Sequence, residues 1–247
     1  MIHHDIGPNL GSTANDFFQT DASLKLAALR QEKDDRFGHL GNPVNVGGKV
    51  LHFELVKNAD STVAYVAESS HVARKVDMAT GKTLCVFRGH KGPITKVLIH
   101  DNVLFTASWD KTIKKWNAET GQLLGTMSGH RDFVKSVCVS GQKLYSASTD
   151  KLIGEWDLQT CKLLRTFAGH RRSVEDVAAT PDGLFLFSAS SDNSIQKWDI
   201  ALGKSIETFE AHDTSVRRLF LLPESDCLWS VSADKTARRW DLEVFIN

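Results

Sequence analysis

The chain has 247 residues, with 30 Lys and Arg against 30 Asp and Glu and a formal charge of zero at neutral pH. That balance gives no global attraction to nucleic acid or to anionic membrane surfaces. No apolar run reaches the length of a membrane span, and the N-terminal MIHHDIGPNL has no apolar core for a secretory leader. Cys85, Cys138, Cys161 and Cys227 lie far apart and form no paired-cysteine motif. Four reduced thiols in a cytoplasmic or nuclear protein are therefore expected, and nothing calls for a metal or cofactor.

In chain order, residues 1–48 stand apart from the rest. GPNLGSTANDF is turn-rich and lacks alternation. DASLKLAALRQEKDD predicts a short helix over 21–35, capped by Asp21, with Leu24, Leu26, Ala27, Ala28 and Leu29 as an uneven apolar face. Its acidic last turn opposes the helix dipole. GHLGNPVNVGG is a loop, and the whole segment reads as a partly disordered extension, or as a strap that docks on the remainder of the chain or on a partner. His3 and His4 read as a solvated tail rather than as metal ligands.

From residue 49 the pattern changes to strands. KVLHFELV and STVAYVAES alternate apolar and polar residues, followed by HVARKVDM and LCVFRGH. A more regular unit then returns four times. His90, His130, His170 and His212 each lead a copy, spaced by 40, 40 and 42 residues. Trp116, Trp156, Trp198 and Trp240 each close one, and Asp110, Asp150, Asp192 and Asp234 each sit six residues before their Trp. The extra residues fall in ATPDGLF and LLPESDCLW, between the first two strand runs, where a hairpin loop absorbs length at little cost. Residues 49–88 are a degenerate first copy, with Val76-Asp77 at the Trp-Asp position, Ser70 at the Asp position and no matching His.

A period near forty residues marks a repeat architecture. Each copy carries about four short strands, a sheet with two apolar faces that only neighbouring sheets can bury. Curving the stack into a ring protects its ends. The expected blades are 49–88, 89–128, 129–168, 169–210 and 211–247, and the last lacks an outer strand because WDLEVFIN stops short of it.

Gly-His, Ser-x-Ser/Thr-x-Asp and Trp-Asp/Asn at fixed offsets, four times over, resemble the WD-repeat β-propeller family across residues 49–247. The resemblance implies an all-β propeller in which each blade holds a buried hydrogen-bonded tetrad of His, hydroxyl, Asp and Trp. The implied groups are His90, Asp110 and Trp116 with Thr106 or Ser108; His130, Asp150 and Trp156 with Ser146 or Ser148; His170, Asp192 and Trp198 with Ser188 or Ser190; and His212, Asp234 and Trp240 with Ser230 or Ser232. Both hydroxyls of a pair point to one side of the strand, so spacing leaves them open. Ser108, Ser148, Ser190 and Ser232 are carried forward as the members. Asn117 and Ala211 are mild departures from the family pattern. Five copies fall short of the seven blades usual in the family. Three readings stay open: a shortened propeller, an incomplete one finished by a partner or second copy, and a five-bladed ring.

His130, Asp150 and Ser148 look like a hydrolase triad, but the same trio occurs in every good copy, so no catalytic residue is assigned and no enzyme is expected. The family's contact positions are the third and fifth residues after the His and the residue before the Asp. Here they are Pro93, Thr95 and Trp109; Phe133, Lys135 and Thr149; Ser173, Glu175 and Ser191; and Ser215, Arg217 and Ala233. Pro93, Thr95, Trp109, Phe133, Lys135, Glu175 and Arg217 form the candidate binding face, with Trp109 and Phe133 as aromatic anchors. The six residues after each His hold eight basic and four acidic side chains, the basic ones being Lys91, Lys96, Arg131, Lys135, Arg171, Arg172, Arg217 and Arg218.

The expected function is a non-catalytic scaffold that assembles a multiprotein complex by binding other proteins or peptides, with acidic or phosphorylated ones suited to the basic rim. The alternatives are a substrate-recognition subunit of a ubiquitin ligase and an RNA-linked assembly factor, with RNA disfavoured. The former is also disfavoured, because Glu119, Gln159, Ala201 and Glu243 stand where receptors of that kind carry Arg or Lys.

Overall fold

A computed structural model describes residues 25, 28–32, 46–57, 61–222 and 227–242. The chain divides into two compact units, residues 1–43 and 44–247. In the first, Lys25 and residues 28–32 are helical and exposed. The remainder of the helix expected over 21–35, the segment around it, and His3 and His4 lie outside the described residues.

The second unit consists of antiparallel sheets arranged as a five-bladed β-propeller. The first blade is β1 (Val50–Lys57), β2 (Thr62–Glu68), β3 (Val72–Asp77) and β4 (Thr83–Arg88). The second is β5 (Ile94–His100), β6 (Val103–Ser108), β7 (Thr112–Asn117) and β8 (Leu123–Ser128). The third is β9 (Val134–Ser140), β10 (Lys143–Ser148), β11 (Leu152–Asp157) and β12 (Leu163–Ala168). The fourth is β13 (Val174–Ala179), β14 (Phe185–Ser190), β15 (Ser194–Asp199) and β16 (Lys204–Glu210). The fifth, among the described residues, is β17 (Val216–Leu222), β18 (Cys227–Ser232) and β19 (Ala237–Asp241).

The apolar cores lie between blades rather than within them. Each blade has a forward face, toward the next blade in the chain, and a backward face. Tyr65, Ala67, Ala73 and Phe87 of the first blade pack on Val97, Leu104 and Trp116 of the second. Phe105, Ala107, Ile113 and Met127 meet Val137, Leu144 and Trp156. Tyr145, Ala147, Ile153 and Phe167 meet Val177, Leu186 and Trp198. Phe187, Ala189 and Ile195 meet Leu219 and Leu228 of the fifth blade. Burying each large side chain contributes about 1.5–3 kcal/mol, so these four seams carry most of the stabilisation. Among the described residues no core cluster joins the fifth blade to the first.

Beside each seam sits a polar chain that the indole cannot do without. Trp116 Nε1–H donates to Thr106 Oγ1 at 2.9 Å; Thr106 lies 2.7 Å from His90 Nε2, and His90 Nδ1 lies 2.7 Å from Asp110 Oδ2. The same order runs through Trp156, Ser146, His130 and Asp150. It recurs through Trp198, Ser188, His170 and Asp192, and through Trp240, Ser230, His212 and Asp234. A carboxylate only accepts, so Nδ1 must carry a proton. The hydroxyl accepts from the indole and donates its own proton to a bare Nε2, which leaves every buried group of the chain with a partner. The preceding glycine is a matter of clearance: a Cβ on Gly89, Gly129 or Gly169 would come within 3.2, 3.1 or 2.9 Å of the tetrad indole.

Ser108, Ser148, Ser190 and Ser232 are not the tetrad hydroxyls, and this corrects the sequence expectation. Two residues along a strand shift a side chain by about 6–7 Å, which carries these serines out of the indole's reach. They brace the turn instead. Ser108 Oγ donates to Gly92 O and accepts the Asp110 amide, and Ser148, Ser190 and Ser232 repeat the arrangement. The residue after each Asp turns left-handed, at Lys111, Lys151, Asn193 and Lys235.

The first blade replaces this chain with different chemistry. Val66 and Val76 stand at the hydroxyl and Trp positions and pack with Ala64 and Val46. Glu68, fully buried, binds Arg74 Nε at 2.5 Å and Ser70 Oγ at 2.7 Å.

Burial pushes the Asp150 carboxyl up, but hydrogen bonds from His130 and from the Arg131 and Leu152 amides outweigh it and hold the group down at about 2. Asp150→Ala orphans these donors in a site where the carboxylate is only 6% exposed. The expected loss is about 1–3 kcal/mol of unfolding free energy. Chemical denaturation checks it, and an unchanged midpoint would contradict the tetrad's structural role.

Candidate functional site at the mouth of the central channel

The inner strands β1, β5, β9, β13 and β17 surround the propeller axis, and each carries a β-bulge at its second residue. The bulges leave Leu51, Thr95, Lys135, Glu175 and Arg217 without a register partner on the neighbouring strand. A bulge re-aims the extra side chain out of the pleat. Here all five are re-aimed to one place. Together with Trp109 and Arg218 they line a cavity of about 250 Å³.

Trp109 and Phe133 stack at this rim, ring centroids 5.0 Å apart and planes 14° apart. Trp109 sits in the turn between β6 and β7, and its amide donates to Pro93 O at 3.0 Å. Trp109 remains 42% exposed despite the stack. Glu175 organises the polar side: its carboxylate lies 3.7 Å from Lys135 Nζ and 3.5 Å from Arg217 Nη1, and it accepts Ser191 Oγ at 2.8 Å. Thr95 Oγ1 donates across the seam to Val134 O at 2.7 Å.

One residue further along each inner strand, a second ring forms the floor: His52, Lys96, Ser136, Asp176 and Arg218. Asp176 accepts hydrogen bonds from Ser136 Oγ and from the Leu219 amide, and lies 3.4 Å from Lys96 Nζ and 3.8 Å from Arg218 Nη1. His52 Nδ1 accepts the Val97 amide at 3.5 Å. Burial, and then the Lys96 and Arg218 cations, hold His52 down at about 4.

The structure therefore brings Thr95, Trp109, Lys135, Glu175 and Arg217 together, with Phe133 stacked on Trp109 and Pro93 beneath the turn. The eight basic residues do not form one rim. Lys135 and Arg217 are matched by Glu175, and Lys96 and Arg218 by Asp176, because the two acidic residues fall on the same strand as neighbours in the two rings. Lys91, Arg131, Arg171 and Arg172 stay exposed further out. Sequence reasoning missed Leu51 and His52. The first copy has no His from which to count to its fifth position; only its alternating strand pattern could have pointed to them.

His52 sets a pH dependence. Its ordinary value is 6.5 and its folded value about 4, so the unfolded chain takes up the proton first as pH falls. Its contribution to stability is full above 6.5 and is lost progressively toward 4. His52→Gln, which keeps an acceptor for the Val97 amide, should flatten the fall in melting temperature across that window. Equal slopes for the two proteins in a thermal melt series would contradict the assignment.

A family model described as WD domain, G-beta repeat matches residues 81–117, 121–157, 161–199 and 203–241. Each match begins before the outer strand of one blade and ends with the Trp-bearing strand of the next. The chain is also similar to an uncharacterised WD repeat-containing protein of Schizosaccharomyces pombe, 34% identical over 109 residues that make up 40% of this chain and 29% of that protein. The chain thus matches less than a third of that relative's length. Among the described residues no helix is long and apolar enough to cross a membrane. With repeated tetrads, interblade cores and four matched segments agreeing, the chain belongs to the WD-repeat family.

Proposed function

We propose that this protein is a non-catalytic scaffold, cytoplasmic or nuclear, that assembles a multiprotein complex by binding a peptide segment at the mouth of its channel. WD-repeat propellers generally act in protein interaction, and the observation that carries the reading to this site is the exposed Trp109–Phe133 stack beside the bulge residues. An aromatic pair held rigid by its own stacking offers a partner apolar area at little entropic cost. Lys135, Glu175 and Arg217 supply both signs of charge for orientation. The catalytic alternative gains no support from the tetrads, since each imidazole has both nitrogens engaged by its own blade.

Trp109→Ala combined with Phe133→Ala should abolish capture of partners from a cell lysate while leaving a cooperative melt. Partners retained by the folded double variant would overturn the site. Because Glu175 and Asp176 already match the inner basic residues, capture should weaken only modestly with added salt. A steep loss would instead favour an acidic partner or RNA.

A further inference from the structure

The channel mouth holds more positive charge, and more hydrogen-bond donors, than its own acids use. Lys135 from the third blade and Arg217 and Arg218 from the fifth line one cavity of about 250 Å³, with Glu175 as the acid beside them. One oxygen of Glu175 is committed to Ser191, whose hydroxyl donates to it at 2.8 Å. The other lies 3.7 Å from Lys135 Nζ and 3.5 Å from Arg217 Nη1. Both separations are longer than the roughly 2.7–3.2 Å of a hydrogen bond, so these are loose ion pairs. Arg218 Nη1 lies 3.8 Å from Asp176 and is buried without a hydrogen-bond partner among the described residues. Buried donors are rarely left without an acceptor.

One ring deeper, Asp176 serves Lys96 as well as Arg218. The two rings therefore set Lys96, Lys135, Arg217 and Arg218 against Glu175 and Asp176, a surplus of two positive charges. The neighbouring imidazole feels it. After burial, Lys96 and Arg218 are what hold His52 down, and Asp176 opposes them without cancelling them.

These features call for an anion and define its kind. A carboxylate brings one charge and two oxygens. A phosphoryl group on serine or threonine brings about 1.5–2 charges at neutral pH and three acceptor oxygens, one for each cationic side chain in the cavity. The cavity also exceeds several times over the roughly 30 Å³ share of one water.

Resting on the channel mouth as the peptide site, we propose that the segment bound there is phosphorylated on serine or threonine. Its phosphoryl group enters the cavity and accepts hydrogen bonds from Lys135, Arg217 and Arg218. The Trp109–Phe133 stack packs on the residues beside it. Charges paired inside a cavity are screened little by salt, so capture as a whole keeps its modest salt dependence.

The test has two arms. In the first, the purified full chain is titrated with N-acetyl-phosphoserine amide, a probe with one anionic group, and the Trp109 indole signal is followed by NMR. The probe should bind more tightly than the equivalent blocked glutamate, and blocked serine should not bind. Arg217→Gln and Arg218→Gln should each weaken binding by about tenfold to a hundredfold. Glu175→Gln should strengthen it, and Lys91→Gln/Arg131→Gln, on the outer rim, should leave it unchanged. In the second arm, a lysate is treated with phosphatase before capture, and wild type should lose the partners it recovers from untreated lysate. Thermal melts confirm that each variant folds, and Arg217→Gln serves if Arg218→Gln does not. Failure of the probe to bind, binding indifferent to both arginine variants, or capture that survives phosphatase each overturns the proposal. Inorganic phosphate bound by a chain whose capture survives phosphatase is an adventitious ion only. Capture lost in Trp109→Ala/Phe133→Ala but indifferent to phosphatase overturns the phosphoryl group alone, whereas capture retained by that double variant overturns the peptide site itself.

Discussion

In four of the five blades, an imidazole is held between a carboxylate and a hydroxyl, and the hydroxyl in turn holds an indole. This constraint explains most of the local sequence. The indole must be buried because it supplies the backward face of its blade, and a buried N–H without an acceptor costs about 1–3 kcal/mol. The hydroxyl that accepts it needs an acceptor of its own, which the bare Nε2 provides. The opposite ring nitrogen must then be protonated, which calls for the carboxylate. In three of the four a glycine before the His makes room for the indole, and in all four the left-handed residue after the Asp closes the turn that aims the carboxylate inward. The first blade shows what happens without the indole. With Val76 in place of Trp there is nothing to satisfy, the hydroxyl becomes Val66, and the turn is held by the Glu68–Arg74 pair instead.

The same turns that fix the tetrads also fix the site. Lys91, Arg131 and Arg171 present their amides to the Asp carboxylates, so the strand after each begins from a fixed point. The bulge lies a few residues later in the four tetrad blades and sends Thr95, Lys135, Glu175 and Arg217 to one end of the axis, where the first blade's own bulge adds Leu51. The residue before the Asp lies in the turn on that end too, which is why Trp109 meets Phe133. The channel mouth is thus a consequence of repeat geometry, with its chemistry supplied by residues that differ from copy to copy.

Period, strand order, and the His, Asp and Trp of each tetrad were legible because each is marked by a rare residue at a fixed spacing. The hydroxyl was not: Thr106 and Ser108 lie on the same side of a strand, and only the reach of the indole separates them. The grouping of five mouth residues was legible where a His gave a point to count from. It failed at Leu51, where none exists. The charge of the rim was misread for a different reason. Summing residues along the chain counts Glu175 and Asp176 once each, but the ring places each of them between basic residues from other blades. The family matches straddle the blades, so each outer strand is tied in sequence to the following blade.

Four imidazoles linking carboxylate to indole would show themselves in nitrogen NMR of the histidine rings, which reads the protonation of each ring nitrogen. A protonated Nδ1 and a bare Nε2 are expected at His90, His130, His170 and His212 alike. Thr106→Val should remove the acceptor from the Trp116 indole N–H and disturb only the His90 signals among the four. A protonated Nε2 in the four rings, or one pattern in some blades and the reverse in others, would contradict the linkage.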